Sequence, residues 1–221
     1  MPKSDYKPPM SADGQQMNRS ETTKALIMRA AISSFILKGY EGSSMREIAR
    51  AAGSSMGLIR YHFGQKRDLY RDTLACISEQ YNRVCLRALR EMQERSSSPE
   101  NLIFAWLAAP LTRWENDTVA TGEEVLRFLN KMGYEPPALT REVYESHYAY
   151  ALNEWLGSLR AHYAALTEND WYWCLLALRG MYFNIISHQD CMLWSIPSLN
   201  NKLVALKRLS RDAVRMLESC L

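Results

Sequence analysis

Residues 43–66 bring together cationic, hydroxyl and apolar side chains at spacings that suit contact with a nucleic acid. Arg60 could donate a bidentate pair of hydrogen bonds to the edge of a guanine, or it could equally bind a phosphate. Met56 and Leu58 could touch the methyl group of a thymine, and Tyr61 is a further candidate for base contact beside them. If this segment forms a short helix, one face of it can enter the major groove, where base edges present distinct donor and acceptor patterns.

A second set of side chains in the same segment suits phosphate oxygens. Ser44 and Arg46 lie at the start of one predicted helix and Lys66 at the start of another, where free amides and the positive end of a helix attract anions. Ser55, which can cap a third helix, joins this set. His62 is also a candidate, although an isolated histidine is more often packed and hydrogen-bonded. Such contacts position a protein on DNA and carry no sequence information.

Helix signals place these side chains on two short helices behind a longer one. Apolar residues at helical spacing predict a first helix over 22–38, and Gly39 follows as a stop signal. Residues 44–47 (Ser-Met-Arg-Glu) have the spacing of a capping box, so a second helix begins there and ends at Gly53. A third runs over about 56–62. Two short helices joined by a tight turn have the outline of a helix-turn-helix.

Charge and composition agree with this interpretation. Residues 1–75 hold 12 Lys/Arg against 7 Asp/Glu, a net of +5, and the remainder holds 15 against 17. A basic end suits phosphate binding, although it also suits a solubilising face. Lys3, Lys7 and Arg19 could form an arm in the minor groove, but a solvated tail is the commoner outcome. No apolar run approaches the ~18 residues of a membrane span and no secretory signal is present, so we expect a cytoplasmic protein.

The remainder of the chain contains long helical segments divided by helix breakers, with no strand-like alternation of useful length. We therefore predict an all-α fold of about nine helices. The later helices are predicted at 66–94, 99–115, 122–132, 138–164, from a Thr167 cap to about 188, and 200–219, with an ordered loop at 189–200. The predicted divisions are a disordered arm at 1–19, a helix-turn-helix DNA-binding domain at 20–66, and an effector-binding and dimerisation domain at 67–221.

With these elements in place, residues 23–70 resemble the DNA-binding domain of the tetracycline-repressor (TetR/AcrR) family. The likeness rests on Ile27, Ala30, Ala31, Phe35, Gly39, Tyr40, Ser44, Ile48, Ala49, Ala52, Gly53, Gly57, His62, Phe63 and Lys66. Ser54 stands where the family usually has Val, and Arg60 where it often has Tyr, so no member's operator sequence carries over. The resemblance implies a homodimeric, ligand-responsive transcription regulator, commonly a repressor, that binds a palindromic double-stranded DNA operator and is released by a small-molecule effector.

The second half is rich in aromatic residues and shows no catalytic constellation. It lacks the histidine or cysteine spacing of a metal site, a phosphate loop and a nucleophile elbow, so we predict no enzymatic activity, no cofactor and no metal. Aromatic residues at helical spacing are usually part of a core. The resemblance implies, however, that helices four to eight enclose an effector cavity, and its predicted lining residues are Trp106, Phe128, Tyr148 and Trp155.

Apolar stripes on the last two predicted helices could pack inside one subunit or between two. By resemblance these helices form a four-helix dimer interface, which would place two recognition helices about 34 to 36 Å apart in successive major grooves. The predicted interface residues are Trp171, Leu175, Leu178, Tyr182, Leu203, Leu206, Ala213 and Met216.

Two other classes of function stay open at this point. The chain could be a helical enzyme or small-molecule carrier whose basic N-terminus is incidental. It could also be a thiol-based redox sensor, although its five cysteines include no CxxC pair, and an odd count without an export signal favours reduced thiols. Cys76 and Cys85 are nine residues apart on one predicted helix and therefore face opposite sides, which excludes a disulfide between them.

Overall fold

A computed structural model describes residues 19–95, 97–114, 119–187 and 198–221. Every regular element in these ranges is helical, which confirms the all-α prediction. The elements are α1 (Arg19–Gly42), α2 (Met45–Ala51), α3 (Met56–Phe63), α4 (Lys66–Glu94), α5 (Pro99–Thr112), α6 (Gly122–Met132), α7 (Pro137–Val143), a π turn (Tyr144–Tyr148), α8 (Ala149–Arg160), α9 (Glu168–Ser187) and α10 (Leu199–Glu218). Because α7, the π turn and α8 are continuous, the described ranges contain nine helical runs, as predicted.

Some predictions fall outside the described residues. These are the arm at 1–18 with Lys3 and Lys7, the side chain of Arg19, and most of the predicted loop at 189–200. Within the described ranges, no helix combines the length and apolar character needed to span a membrane.

Glycines separate the first helices as predicted. Gly39 adopts a φ of 70°, a left-handed value that favours glycine, so the regular geometry of α1 ends there. Gly53, with a φ of 60°, ends α2 in the same way. A side chain at position 39 would also lie 3.0 Å from the Glu135 carboxylate. The glycine therefore lets the loop before α7 approach the end of α1.

Serine side chains begin both short helices. Ser44 Oγ accepts a hydrogen bond from the Glu47 amide, and Ser55 Oγ accepts one from the Leu58 amide, each at 3.2 Å. The capping box predicted at 44–47 is only half formed, because the Glu47 carboxylate pairs with Lys38 Nζ at 2.9 Å. An ion pair between α1 and α2 thus replaces the second half of the box. The spacing of residues within α2 does not predict this ion pair.

The helix predicted at 138–164 is a continuous run that changes geometry in its middle. The π turn Tyr144–Tyr148 lies between α7 and α8, and such turns are frequent at functional sites. The run ends at Arg160, earlier than predicted. Thr167 caps α9 as predicted: the Asp170 amide donates to Thr167 Oγ1 at 3.3 Å, and the Thr167 amide donates to the Asp170 carboxylate at 2.9 Å.

An aromatic cluster joins the N-terminal helices to the rest of the core. Phe35 of α1, Tyr70 of α4 and Phe128 of α6 are all at most 2% exposed. Tyr70 contacts Phe35 edge-on at 4.9 Å between ring centroids and stacks on Phe128 at 5.7 Å. Burial raises the pKa of the Tyr70 hydroxyl, which therefore stays neutral. We call these three residues the junction cluster.

Candidate nucleic-acid interface and effector cavity

Helix α3 divides its side chains between the core and the surface. Ile59 and Phe63 are buried, as predicted for residues that brace this helix. Leu58 and Tyr61 are exposed, Tyr61 to 83%. Met56 is half-buried against the core, so its reach toward a base is shorter than the sequence suggests. The solvent-facing side of α3 therefore carries an apolar side chain, a phenol and the guanidinium of Arg60.

Two exposed arginines on the short helices have no ionic partner among the described residues. Arg46 of α2 and Arg60 of α3 form no salt bridge with any residue in the part of the chain that the structure describes. Ser44 and Ser55, the two caps, are also exposed beside them. Guanidinium groups without an internal carboxylate keep their donors for an external anion. Both arginines and both caps are thus exposed on the two short helices, and their binding role stays a prediction.

Lys66 has internal partners that the sequence does not reveal. Its Nζ donates to the carbonyl oxygens of Ser43 and Glu41 at 3.1 and 3.4 Å, and it lies 4.3 Å from the centre of the Tyr40 ring. These contacts tie the start of α4 to the turn before α2. An ammonium has three hydrogens, so one remains available for a phosphate.

Ser43 is a structural residue that the sequence reasoning missed. It is 3% exposed, its Oγ donates to the Gly39 carbonyl at 2.7 Å, and it accepts from Ser34 Oγ at 2.9 Å. A run of two serines before a helix signals the cap but does not say which serine is buried. His62 is half-buried, with its ring 5.1 Å from the centre of the Tyr61 ring. This position fits a packed histidine as well as a phosphate contact.

The C-terminal domain contains a cavity of about 500 Å³. It lies between α4, α5, α6, the α7 to α8 run and α9, and its volume is in the range of small-molecule sites. Three of the four predicted lining residues, Trp106, Tyr148 and Trp155, do line it. The other aromatic residues of its wall are Tyr81, Tyr144, Tyr182 and Phe183.

The inner wall of the cavity is a contiguous aromatic surface. Trp106 and Trp155 are stacked, with 5.2 Å between ring centroids and 23° between planes. The ring centroid of Tyr81 lies 5.9 Å from that of Trp106 and 5.3 Å from that of Tyr148. Burial raises the pKa of the Tyr81 and Tyr148 hydroxyls, so both phenols are neutral hydrogen-bonding groups. The Tyr182 hydroxyl donates to the Leu107 carbonyl at 3.0 Å.

Phe128 does not line this cavity, which corrects its prediction as an effector-binding residue. It belongs to the junction cluster, 5.7 Å from Tyr70 and 6.3 Å from Phe35 between ring centroids. On α6 the next residue, Leu129, faces the cavity instead. Successive helical residues point about 100° apart, so only the tertiary packing of α6 decides which of the two lines the site.

The family described as "Bacterial regulatory proteins, tetR family" matches residues 27–73. The matched segment runs from α1 into the start of α4, so it contains both short helices and their exposed arginines. A TetR-family transcriptional regulator from Mesorhizobium loti has the same overall fold, with a TM-score of 0.60 and 22% identity over 92% of this chain and 98% of that one. Residues 27–73 thus match the tetR family, and the fold of the described residues is similar to that of a tetR-family regulator.

Further tetR-family comparisons agree on the fold and the N-terminal domain. A regulatory protein of the family from Rhodococcus RHA1 aligns over 91% of this chain and 98% of its own, with a TM-score of 0.60 and 18% identity. IcaR, a negative transcriptional regulator of the biofilm operon icaADBC in Staphylococcus aureus, is 29% identical over 63 residues, 28% of this chain. The repressor NicS of Pseudomonas putida is 24% identical over 94 residues, 42% of this chain. The chain spans 34% and 44% of these two curated relatives.

Most of the predicted interface residues face inward. Trp171, Leu178, Tyr182, Leu206 and Ala213 are buried within one subunit, and Leu175, Leu203 and Met216 are half-buried. The buried five therefore cannot contact a second copy without repacking, so their prediction as interface residues is corrected. The stripe was assigned to the wrong side of α9 because both sides of that helix are apolar. The exposed apolar side chains of α9 are Tyr172, Trp173 and Leu176 on one side and Met181 about 180° around the helix from Tyr172.

The cysteines of the described residues differ in their surroundings. Cys85 is buried and its pKa is raised by desolvation, so it resists forming a thiolate. Cys174 of α9 and Cys220, which follows α10, lie close to one another, and Cys220 Sγ donates a hydrogen bond to the Met216 carbonyl at 3.3 Å. The pKa of Cys174 is also raised by burial. Sequence separation gave no indication that these two thiols meet.

Proposed function

We propose that this tetR-family protein is a homodimeric, DNA-binding repressor of transcription that a small molecule releases from a palindromic operator. The observation that carries the proposal is the exposed guanidinium of Arg60 on α3, which forms no ion pair with any described residue. Bidentate donation to guanine is the commonest specific contact of an arginine in the major groove. IcaR is a negative regulator and NicS is a repressor, which supports the direction of control.

The dimer is proposed to form through the exposed apolar side of α9. Tyr172 and Trp173 are each 59% exposed, and Leu176 extends the same side along the helix. Aromatic residues and methionine are enriched in protein interfaces, and an isolated exposed patch of this kind is unusual on a monomer. A two-fold pair would present two copies of α3 to two half-sites, which supports a palindromic operator.

Three connections support coupling between the cavity and the DNA-binding domain. Helix α4 carries Tyr70 of the junction cluster and Tyr81 of the cavity wall. Helix α6 carries Phe128 on one side and cavity residues on another. Glu135 lines the cavity and accepts a hydrogen bond from the Tyr40 amide at 2.8 Å. A ligand that favours one arrangement of these elements would change DNA affinity by its differential affinity for the two states.

The deciding experiment measures binding of the purified full chain to the DNA just upstream of its own gene, with random duplex as reference, across a salt series. We expect protection of a palindromic site, and release by candidate ligands. Arg60→Ala should weaken binding to this site by about 1–3 kcal/mol and relax base preference at one position of each half-site. Arg208→Ala, which removes an exposed arginine from α10, is the matched control and should bind as the wild type does.

Two results would contradict the proposal. Identical titrations for Arg60→Ala and the wild type would remove Arg60 from the interface. Equal affinity for palindromic and random duplexes, together with binding or turnover of a metabolite, would favour the helical carrier or enzyme instead.

A thiol-based response is the second candidate function, because Cys174 and Cys220 are in contact. Hydrogen peroxide would oxidise one thiol to a sulfenic acid and release water. The other sulfur would then form a disulfide with it and release a second water. In this case peroxide lowers operator affinity in the wild type and has no effect on Cys220→Ser. Equal release of both proteins would remove this candidate.

A further inference from the structure

The cavity has an uncharged inner wall and a charged rim. The inner wall consists of the stacked indoles and the neutral phenols described above. The ionic groups of the lining are Glu135, Arg141, Glu145 and Arg179. The balance among these four, and the partners each already has, determines which charge a ligand can carry.

Arg179 is the rim residue best placed to receive a ligand. Its guanidinium lies 5.6 Å from the centre of the Phe183 ring, one turn further along α9. It forms no salt bridge with a carboxylate in the described ranges. It also lies near enough to the Tyr148 hydroxyl to lower the pKa of that group in opposition to burial. An arginine held against one aromatic ring, with its donors unused, is suited to bind an anion in a bidentate geometry.

The backbone opposite Arg179 leaves room for this position. A Cβ atom at Gly133, the residue that ends α6, would lie 2.1 Å from Arg179 Nη2. The φ of Gly133 is −64°, an ordinary helical value, so the constraint on this position is steric, and it comes first from the guanidinium and second from the Asn130 carbonyl oxygen, 3.3 Å from that Cβ. Gly133 and Phe183 therefore hold Arg179 between α6 and α9 at the rim.

The remaining charged groups do not reverse this preference. The Glu135 carboxylate accepts a hydrogen bond from the Tyr40 amide, so one of its oxygens is directed to α1. Glu145 and Arg141 are both exposed, and neither has a salt bridge with a described residue. Glu135, like Glu145, has no salt bridge with a described residue, so two arginines balance two carboxylates at the rim. The preference for an anion therefore comes from Arg179, which Gly133 and Phe183 hold in place. The neutral phenols can donate hydrogen bonds to that anion.

We infer that the cavity binds planar aromatic carboxylates, with the ring against the Trp106 and Trp155 wall and the carboxylate on Arg179. This inference rests on the proposed function only for its regulatory consequence, because the ligand class follows from the cavity itself. Offset stacking between aromatic rings adds to the burial of the ligand body. A charged, bidentate hydrogen-bond pair supplies orientation.

The test uses three probes of equal shape: 2-naphthoate, neutral 2-naphthamide and the cation 2-naphthylmethylammonium. Titration calorimetry on the full-length wild type should give the tightest binding for 2-naphthoate. Arg179→Gln should lose at least about tenfold in naphthoate affinity and leave naphthamide affinity unchanged. Gly133→Ala keeps the charge but displaces the guanidinium, and it should weaken naphthoate binding selectively. Arg208→Gln is the control for a lost surface charge.

Three outcomes overturn the inference: tighter binding of the cationic probe, equal naphthoate affinity in Arg179→Gln and the wild type, or no naphthoate binding at millimolar concentration. Operator binding without ligand is measured in parallel for each variant. A protein that binds naphthoate but no DNA contradicts the proposed function and keeps the ligand class. A protein that binds DNA but no naphthoate contradicts the ligand class and keeps the proposed function. Circular dichroism establishes that each variant is folded.

Discussion

The helix-turn-helix and the cavity present their chemical groups in opposite ways. In the first, Arg46 and Arg60 extend into solvent from short helices whose starts are fixed by local serine caps. In the second, Tyr81, Trp106 and Trp155 come from three different helices and are buried against one another. Exposed charge can attract a polyanion through water, whereas a small molecule needs a preformed concave wall.

This difference indicates where each region is sensitive to change. A substitution on the exposed surface removes a contact with an external partner and leaves the core intact. A substitution in the aromatic wall changes packing, and with it both stability and binding. The junction cluster lies between the two regions and belongs to the core of both. A substitution there should therefore show most clearly how a change in packing affects stability.

Phe128→Ala should have the largest effect on stability. The ring is 1% exposed and contacts both Phe35 and Tyr70, so its removal leaves a cavity at the junction and should lower the free energy of unfolding by about 3–5 kcal/mol. Urea unfolding monitored by circular dichroism measures the loss. Tyr134→Ala, at an aromatic residue that is 82% exposed, should change stability by less than about 0.5 kcal/mol. A loss below about 1 kcal/mol for Phe128→Ala would show that the junction is loosely packed.

Trp173→Ala and Trp171→Ala separate the two sides of α9. Trp173 is 59% exposed and Trp171 is 2% exposed. Loss of Trp173 should weaken the dimer by at least about 2 kcal/mol and leave the monomer folded, as expected for a central aromatic residue of an interface. Loss of Trp171 should instead lower the stability of each subunit by about 3–5 kcal/mol. Sedimentation velocity over a dilution series and urea unfolding distinguish these effects. A dimer that tolerates Trp173→Ala would place the interface elsewhere.

The same division explains what could be predicted from the sequence. The helix-turn-helix was predictable because its glycine stops and serine caps are local signals, and Gly39, Gly53 and Ser55 behave as expected. The α9 stripe was misassigned because both sides of that helix are apolar, and Phe128 was misassigned because adjacent residues on the apolar face of α6 pack against different neighbours. The position of Arg179 depends on the approach of α6 to α9, and no local pattern encodes that distance.

Lys66→Met tests whether a residue of the proposed DNA-binding surface also supports the fold. Loss of the two carbonyl contacts of Nζ should lower the free energy of unfolding by about 1–2 kcal/mol. Binding should weaken on all DNA sequences alike. The slope of log affinity against log salt should become shallower by about 0.9 if the third ammonium hydrogen contacts a phosphate. An unchanged slope with reduced stability would limit Lys66 to bracing the turn before α2.

Ser44→Ala and Thr121→Ala compare equivalent caps in the two regions and should give the smallest effects. Each side chain accepts a hydrogen bond from the third amide of its helix at 3.2 Å, so each substitution should lower stability by about 1 kcal/mol. Only Ser44 lies on the surface with Arg46 and Arg60, so only its loss should weaken operator binding, by about 0.5–1.5 kcal/mol. Thr121 has a complete capping box with Glu124, which places its role entirely within α6. Equal operator affinities for the two variants would mean that Ser44 acts as a cap alone and that phosphate contact at this end of α2 depends on Arg46.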